Sequence, residues 1–231
     1  MILFDLDGTL VDTTELILAS FAWTFQHHLP GRLPARDALI HTFGRSLPAV
    51  LRELAVEHDD GDPDVLTAQM LATYRDFQLE RHDTLIQRFP GVAEMLRELR
   101  ARQRRLGLVT SKREGFARRG LAVFGLETLF EVAVFHDDTT RHKPQPEPLL
   151  LAAERAGLMP GDVVYVGDSV HDVAAGRAAG MQTVAVLWGP FDRAVLERAG
   201  PDHIVERPED LVALLTKDEE RGMKDEAQSP S

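Results

Sequence analysis

Residues 1–14 read MILFDLDGTLVDTT, and this stretch indicates both the fold and the site. It opens with a short apolar run typical of a buried β-strand, followed by two carboxylates, Asp5 and Asp7, one residue apart. Positions i and i+2 of a strand point to the same side, so both carboxylates are predicted to face one pocket. Two anions this close repel each other unless a divalent cation lies beside them. The first strand is therefore predicted to end in a functional site.

Short β-rich runs alternate with amphipathic helices along much of the chain. The predicted strands are MILF (1–4), RRLGLV (104–109), EVAVF (131–135), DVVYVG (162–167) and QTVAVL (182–187). The stretch 91–103 shows the helical pattern, with Val92, Met95, Leu96 and Leu99 on one face. This alternation predicts an α/β fold with a doubly wound parallel sheet, a Rossmann-like core.

One region, residues 13–87, lacks a convincing strand and shows only helical patterns, at 15–28, 46–58 and 63–82. A helical insertion directly after the first strand predicts a second, smaller domain over that strand's end. We therefore expect an α/β catalytic core formed by residues 1–12 and 88–215 and an all-helical cap domain at 13–87. Residues 216–231 are polar and are expected to form a disordered tail.

Composition narrows the function classes. The 231 residues include 37 acidic and 26 basic side chains, for a formal charge of −11, which argues against nucleic acid or an anionic membrane as the main partner. The absence of cysteine excludes disulfides and thiolate chemistry. No apolar run approaches a membrane span. These features predict a cytoplasmic protein, monomer or homodimer, that acts on a small molecule.

Polar residues close the predicted strands, at the edge where ligands bind in doubly wound sheets. Strand 104–109 leads into Thr110, Ser111 and Lys112, and strand 162–167 leads into Asp168 and Asp172. Lys143, in HKPQPEP, follows the third strand. Carboxylate oxygens suit Mg²⁺, and such a site suits phosphoryl transfer.

Within that chemistry, a carboxylate can itself be the nucleophile. Asp5 is predicted to attack phosphorus and form an aspartyl phosphate. Asp7 would protonate the leaving oxygen and then activate the water that hydrolyses the intermediate.

The segments DLDGTLVDT, LVTSK, KPQPEP and VGDSVHD, in this order, resemble the four motifs of the haloacid dehalogenase superfamily, in its branch with a helical cap after the first motif. The resemblance implies that Asp5 is the nucleophile and Asp7 the acid/base, with the Asp7 backbone carbonyl as a metal ligand. It further implies that Thr110 and Lys143 hold the phosphoryl group and that Asp168 binds Mg²⁺ with Asp172 behind it. The predicted sets are catalytic Asp5, Asp7, Thr110 and Lys143, and metal-binding Asp5, Asp7, Asp168 and Asp172. The predicted substrate-binding residues are Thr110, Ser111, Lys112, Lys143 and Arg45.

Two of these positions are open to more than one interpretation. Lys112 could steady the substrate or be exposed. Arg45, in FGRS at a helix start, could grip a substrate anion or be an ordinary surface residue. His82 has the pattern of a helix-face residue.

Several activities of the resembled family can be excluded or disfavoured from the sequence. Asp7 favours phosphoryl transfer over dehalogenation, because a leaving halide needs no proton. No lysine occurs before Lys112, which excludes the lysine-dependent cleavage of phosphonoacetaldehyde and counts against β-phosphoglucomutase activity. Phosphoglycolate phosphatase and inorganic pyrophosphatase remain, and YRDFQLERHDTLI resembles the pyrophosphatase. A phospho-accepting module or a catalytically silent binding protein is the alternative of another class.

Overall fold

The computed structural model describes residues 1–58 and 61–216. Its strands are β1 (Ile2–Phe4), β2 (Val11–Asp12), β3 (Gln87–Arg88), β4 (Leu106–Val109), β5 (Val132–Val134), β6 (Val164–Gly167), β7 (Gln182–Val186) and β8 (His203–Val205). Its helices are α1 (Thr14–His28), α2 (Arg36–Ile40), α3 (Leu47–His58), α4 (Pro63–Leu85), α5 (Val92–Ala101), α6 (Glu114–Val123), α7 (Glu147–Ala156), α8 (Val170–Ala179), α9 (Arg193–Ala199) and α10 (residues 208–216). None of the helices in these ranges has the length and apolar character needed to cross a lipid bilayer.

Six parallel strands form the central sheet in the order β5-β4-β1-β6-β7-β8. The chain starts in the middle of the sheet, winds outward through β4 and β5, and then returns to build the other half from β6 to β8. The predicted doubly wound α/β fold is confirmed. Strand β8 was not predicted, because only two of its three residues, Ile204 and Val205, are apolar.

Buried apolar side chains cover both faces of the sheet. Phe4 and Leu108 point to one face and belong to a large cluster with α5. Leu3 and Tyr165 point to the opposite face, where α7 and α8 pack. Successive side chains of β1 point to opposite faces of the sheet, and helices cover both faces. Every residue of β1 is therefore buried, which explains its continuous apolar run.

Helices α1 to α4 fill the stretch that was predicted to be helical, and α1, α3 and α4 share a separate cluster of buried side chains that includes Phe25, Leu51 and Met70. The short helix α2 was missed, and a strand, β3, begins at Gln87 where none was predicted. Strand β3 pairs antiparallel with β2, so the two linkers to this helical region run side by side. The two-domain division stays a prediction, supported by the separate cluster. The predicted tail lies outside the described residues, except for Thr216.

His82 joins α4 to α6. Its side chain is fully buried, its ring lies 6.2 Å from that of Phe116, and its Cε1 would lie 3.6 Å from a Cβ built on Gly120. Next to it, Asp83 forms an ion pair with Arg119 of α6. Burial lowers the pKa of His82 more than its hydrogen bond to Asp83 raises it. The expected helix-face residue is therefore a buried, neutral imidazole at an interface.

Replacement of Leu51 tests the helical cluster. Leu51→Ala should lower the free energy of unfolding by about 2–5 kcal/mol, because it leaves a cavity among packed side chains. The matched change Leu79→Ala, at an exposed position of α4, should stay within about 0.5 kcal/mol of the wild type. Urea unfolding measures both; equal losses would contradict the packing described here.

His82 should make stability depend on pH. Because its pKa is lower in the folded chain than the unfolded value of about 6.5, its contribution is complete above that value and is lost as the pH falls. Between about pH 7.5 and about pH 5.5, the free energy of unfolding should decrease less in His82→Gln than in the wild type. Denaturant titrations at several pH values measure this slope, and an unchanged slope would contradict a neutral buried His82.

Candidate active site

The three central strands bring their terminal polar residues to one edge. Because β4, β1 and β6 are neighbours, Thr110, Asp5 and Asp168 follow one another across the sheet. The Asp5 N–H donates to the Val166 carbonyl (2.9 Å), so Asp5 still lies in line with the sheet. The side chains of Asp5, Thr110 and Asp168 are all buried.

Lys143 lies at the centre of a buried polar network. Its Nζ is 2.8 Å from Asp5 Oδ1, 2.6 Å from Asp172 Oδ1 and 3.0 Å from the Tyr165 hydroxyl oxygen. The Tyr165 hydroxyl also lies 2.9 Å from Asp172 Oδ1 and 3.2 Å from the Val109 carbonyl oxygen. Tyr165 was missed, because a tyrosine inside an apolar strand reads as a core residue. The network holds the ammonium of Lys143 against Asp5.

The carboxylates of β6 and α8 are fixed by hydroxyl and backbone donors. Ser169 caps α8: its Oγ and N–H donate to Asp172 Oδ2 at 2.5 and 3.1 Å. Thr9 Oγ1 donates to Asp168 Oδ1 at 2.8 Å. Thr9 was also missed as a site residue, since its position after Gly8 is equally typical of a turn.

Close packing around Asp168 requires glycine. Gly8 has φ +87°, and a Cβ there would overlap the Asp168 carboxylate. A Cβ on Gly189 would overlap the Gly8 carbonyl oxygen and the Asp168 side chain. The turn after β1 therefore lies directly against the carboxylate that ends β6.

Burial and neighbouring charges shift the pKa values of Asp5, Asp168 and Asp172 in different directions. Burial raises the pKa of Asp5 to about 7, against the Lys143 ammonium and with the help of the Asp172 charge. Burial likewise raises the pKa of Asp168 well above its usual value, and Asp172 and Asp5 add to this. Burial disfavours the ionised form of Asp172 too, yet Lys143 and the surrounding donors hold its pKa below the usual range. Asp172 and Lys143 therefore form the ion pair, while Asp5 and Asp168 lack enough positive charge.

A divalent cation would supply the positive charge that Asp5 and Asp168 lack. Asp5, Asp168 and Asp172 each offer a carboxylate oxygen, and these oxygens lie within 4.8 Å of one another. Oxygen ligands of this kind suit hard cations such as Mg²⁺. The side chain of Asp7 does not belong to this group of carboxylates. Its predicted role as a ligand through the backbone carbonyl stays a prediction.

A cavity of about 110 Å³ lies between this edge of the sheet and the helical region. Of the predicted residues, its walls include Asp5, Asp7, Arg45, Thr110, Ser111 and Lys112. Asp168, Asp172 and Lys143 are buried and do not line it. Residues that sequence reasoning missed complete the walls, among them Tyr74, Arg75, Gln78, Arg113 and His136.

Polar contacts occupy several of the lining side chains. Lys112 Nζ is 2.7 Å from Asp7 Oδ1, and its side chain is largely buried, so the exposed interpretation of Lys112 is wrong. Arg45 lines the cavity but forms an ion pair with Glu53 of α3. The Ser111 hydroxyl donates to the Gly44 carbonyl at 2.7 Å. Ser111 thereby ties the loop before α3 to the end of β4.

The fold and the carboxylates at its strand ends define a class of enzyme, the hydrolases built on a doubly wound sheet with an aspartate after the first strand. The family described as "Haloacid dehalogenase-like hydrolase" matches residues 2–186, and the chain belongs to this family.

Whole-length relatives support the same assignment. The chain is 40% identical over 217 residues to the protein named Pyrophosphatase PpaX of Bacillus pumilus, covering 94% of this chain and 96% of the relative. A protein of the same name from Listeria monocytogenes serotype 4b is 36% identical over 219 residues, covering 95% and 97%. The solved structure of a hydrolase from Pseudomonas syringae superposes with a TM-score of 0.82 at 27% identity, covering 94% of this chain and 97% of that chain.

The Thr9 hydroxyl should tune the affinity for a cation. Thr9→Val removes the donor that orients Asp168, so the Mg²⁺ concentration giving half-maximal thermal stabilisation should rise by about 10- to 100-fold. The control Thr24→Val removes a buried hydroxyl in α1 that donates to the Ser20 carbonyl and not to a carboxylate, and it should leave this concentration unchanged. Melting curves across a Mg²⁺ series measure both variants. If Thr9→Val and wild type reach half-maximal stabilisation at the same Mg²⁺ concentration, the role of Thr9 in orienting Asp168 is contradicted.

Proposed function

We propose that this enzyme is a Mg²⁺-dependent phosphatase that acts through an aspartyl phosphate on a small acidic phosphate compound. Inorganic pyrophosphate and phosphoglycolate-type monoesters are the candidate substrates. The observation that carries the proposal is the position of Asp5, which lines the cavity while its carboxylate meets Lys143 and lies within a group of three buried carboxylates. This arrangement suits an attack on a phosphoryl group, whose charge needs nearby cations.

In the first step, an Asp5 carboxylate oxygen forms a bond to phosphorus. The bond from phosphorus to the leaving oxygen breaks, its electron pair stays on that oxygen, and Asp7 donates a proton to it. In the second step, Asp7 takes a proton from water as the water oxygen bonds to phosphorus and the Asp5–phosphorus bond breaks. Lys143 neutralises charge beside Asp5, and Thr110 lines the wall next to it.

Asp5, Asp168 and the backbone of Asp7 would hold the Mg²⁺ ion, with Asp172 behind them. When bound, Mg²⁺ supplies positive charge that offsets the phosphoryl oxygens and lets Asp5 stay ionised. Residues 13–87, as a cap domain, would exclude bulk water from the aspartyl phosphate. The cytoplasmic location and a monomeric or homodimeric state remain part of this proposal.

Pyrophosphate is the favoured substrate. The relatives at 36–40% identity that span nearly the whole chain are named pyrophosphatases. The cavity is small, and arginine and lysine side chains contribute to its walls, which suits a compact and highly charged compound. β-Phosphoglucomutase-like transfer is the alternative: the solved structure of a putative β-phosphoglucomutase from Thermotoga maritima superposes at a TM-score of 0.67 with 27% identity.

Two substitutions test the chemistry. The wild type should hydrolyse phenyl phosphate only with Mg²⁺, and a chelator should abolish turnover. Asp5→Asn removes the nucleophile and should abolish turnover, and Asp7→Asn should lower kcat by about 10²- to 10⁴-fold through loss of the acid/base. Asp12→Asn is the control, because within the part of the chain that the structure describes the Asp12 side chain accepts only the Thr14 N–H, and asparagine can do the same.

Release of phosphate over time measures these rates. Absence of Mg²⁺-dependent turnover on any phosphate, or a fully active Asp5→Asn, would refute the hydrolase proposal and favour a phospho-accepting or silent binding protein. A comparison of kcat/KM among pyrophosphate, phosphoglycolate and hexose phosphates then identifies the substrate. The highest value should belong to pyrophosphate.

A further inference from the structure

Four cationic side chains line the cavity, and three of them are matched by a carboxylate. The matched pairs are Arg45 with Glu53, Lys112 with Asp7, and Arg113 with Asp137. The guanidinium of the fourth, Arg75 of α4, has no hydrogen bond or ion pair within residues 1–58 and 61–216. Arg75 therefore brings an uncompensated positive charge to the wall of the site.

The surroundings of Arg75 make this charge costly. The side chain is partly buried, and burial together with the neighbouring Arg113 lowers its pKa, while Asp137 acts in the opposite direction. A guanidinium that loses water and lies near a like charge needs an anion to compensate it. The described residues supply none at hydrogen-bonding distance, whereas an anionic ligand in the cavity would.

A second unmatched group lies on the same wall. His136, two residues after the end of β5, lines the cavity, and its buried Nδ1 has no hydrogen-bond partner among the described residues. Burial lowers the pKa of His136, and His142, Arg75 and Arg113 act in the same direction, whereas Asp137 acts against them. In one tautomer the imidazole presents an N–H donor at this nitrogen.

These groups share one small cavity with Asp5, Asp7 and Lys112. A ligand that places one phosphoryl group against Asp5 therefore extends into walls formed by α4, Arg113 and His136. A planar guanidinium binds phosphate oxygens in pairs, which favours a second phosphoryl group at the other end of the ligand.

We propose that Arg75, with Arg113 and His136 beside it, binds the non-reacting anionic group of the substrate, so that the site selects a diphosphate over a monoester with an uncharged leaving group. This inference rests on the proposed function, since it takes Asp5 as the group that meets the other phosphoryl. Arg75 is then a specificity-determining residue, because it contacts the leaving group and not the reacting phosphorus.

Kinetic discrimination tests the proposal. In Arg75→Gln, the ratio of kcat/KM for pyrophosphate to kcat/KM for phenyl phosphate should fall by about 10- to 100-fold relative to wild type, because a charge-assisted contact to the leaving phosphate is lost. Arg75→Lys keeps the charge but not the paired donors and should give an intermediate ratio. Arg81→Gln is the matched control: Arg81 lies exposed on the same helix and pairs only with Glu80 within the described chain.

A binding measurement separates this inference from the hydrolase proposal. In the Asp5→Asn background, calorimetry with pyrophosphate and with inorganic phosphate, both with Mg²⁺, needs no turnover. Addition of Arg75→Gln should raise the Kd for pyrophosphate by about tenfold or more. It should also lower the preference for pyrophosphate over phosphate, because phosphate has no second phosphoryl group for Arg75 to bind. Circular dichroism checks that each variant is folded.

Each outcome decides the matter. An unchanged kinetic ratio, or equal losses for pyrophosphate and phenyl phosphate, would overturn the role of Arg75 as an anion-binding residue. Loss of discrimination in Arg81→Gln as well would overturn it too, because a general effect of charge would then explain the result. A wild type without turnover refutes only the hydrolase proposal, and the calorimetry still tests Arg75.

Discussion

The buried ammonium of Lys143, held between Asp5 and Asp172, is the interaction on which the site depends. Removal of charges from water costs several kcal/mol for each ion, and only short, hydrogen-bonded pairing offsets this. Here the pairing is short, and Tyr165 and Ser169 supply the remaining donors. Loss of either partner would leave an uncompensated ion in the interior, which typically costs about 3–5 kcal/mol. The network therefore fixes the Asp5 carboxylate at the edge of the cavity.

The same network contains more carboxylates than cationic groups. Lys143 compensates one carboxylate, but Asp5, Asp168 and Asp172 are all buried around it. Without further positive charge, burial raises the pKa of Asp5 to about 7, so part of Asp5 is protonated and poorly nucleophilic near neutral pH. A cation at the three carboxylates would lower that pKa, so cation binding and activation of Asp5 are coupled by electrostatics.

Strand ends could be predicted because burial on both faces leaves a strong signal. A parallel strand covered by helices is apolar throughout, so the first polar residue marks its end, as at Asp5, Thr110 and Asp168. The neighbouring positions of β4, β1 and β6 then bring these residues together, and that order follows from the fold class. Strands β2 and β8 were missed because they contain only one and two apolar residues, and α2 was missed because five residues show no clear helical period.

The residues that were missed all depend on long-range packing. Tyr165 acts through one hydroxyl at the tip of an otherwise apolar side chain, and its partners lie on other elements. Arg75 and His82 belong to α4, whose polar and apolar residues are mixed around the helix, so the sequence does not show which face meets the core. His82 packs against α6, whereas Arg75 lines the cavity about two turns earlier in the helix.

The helical region ties its side of the cavity to the core at separate points. Ser111 holds the Gly44 carbonyl near the start of α3, Arg119 holds the end of α4, and the paired strands β2 and β3 carry both linkers. Ser111 and Gly44 belong to the cavity wall, whereas Arg119 and the paired strands lie outside it. None of these ties uses the side chains of α4 that line the cavity, so those side chains can be replaced without breaking the attachment. The chain as a whole is strongly acidic, yet four cationic side chains line this cavity, where the proposed function places the phosphate groups of the substrate. Under the proposed function, the attack on phosphorus takes place at the strand ends, while α4 above them selects the leaving group.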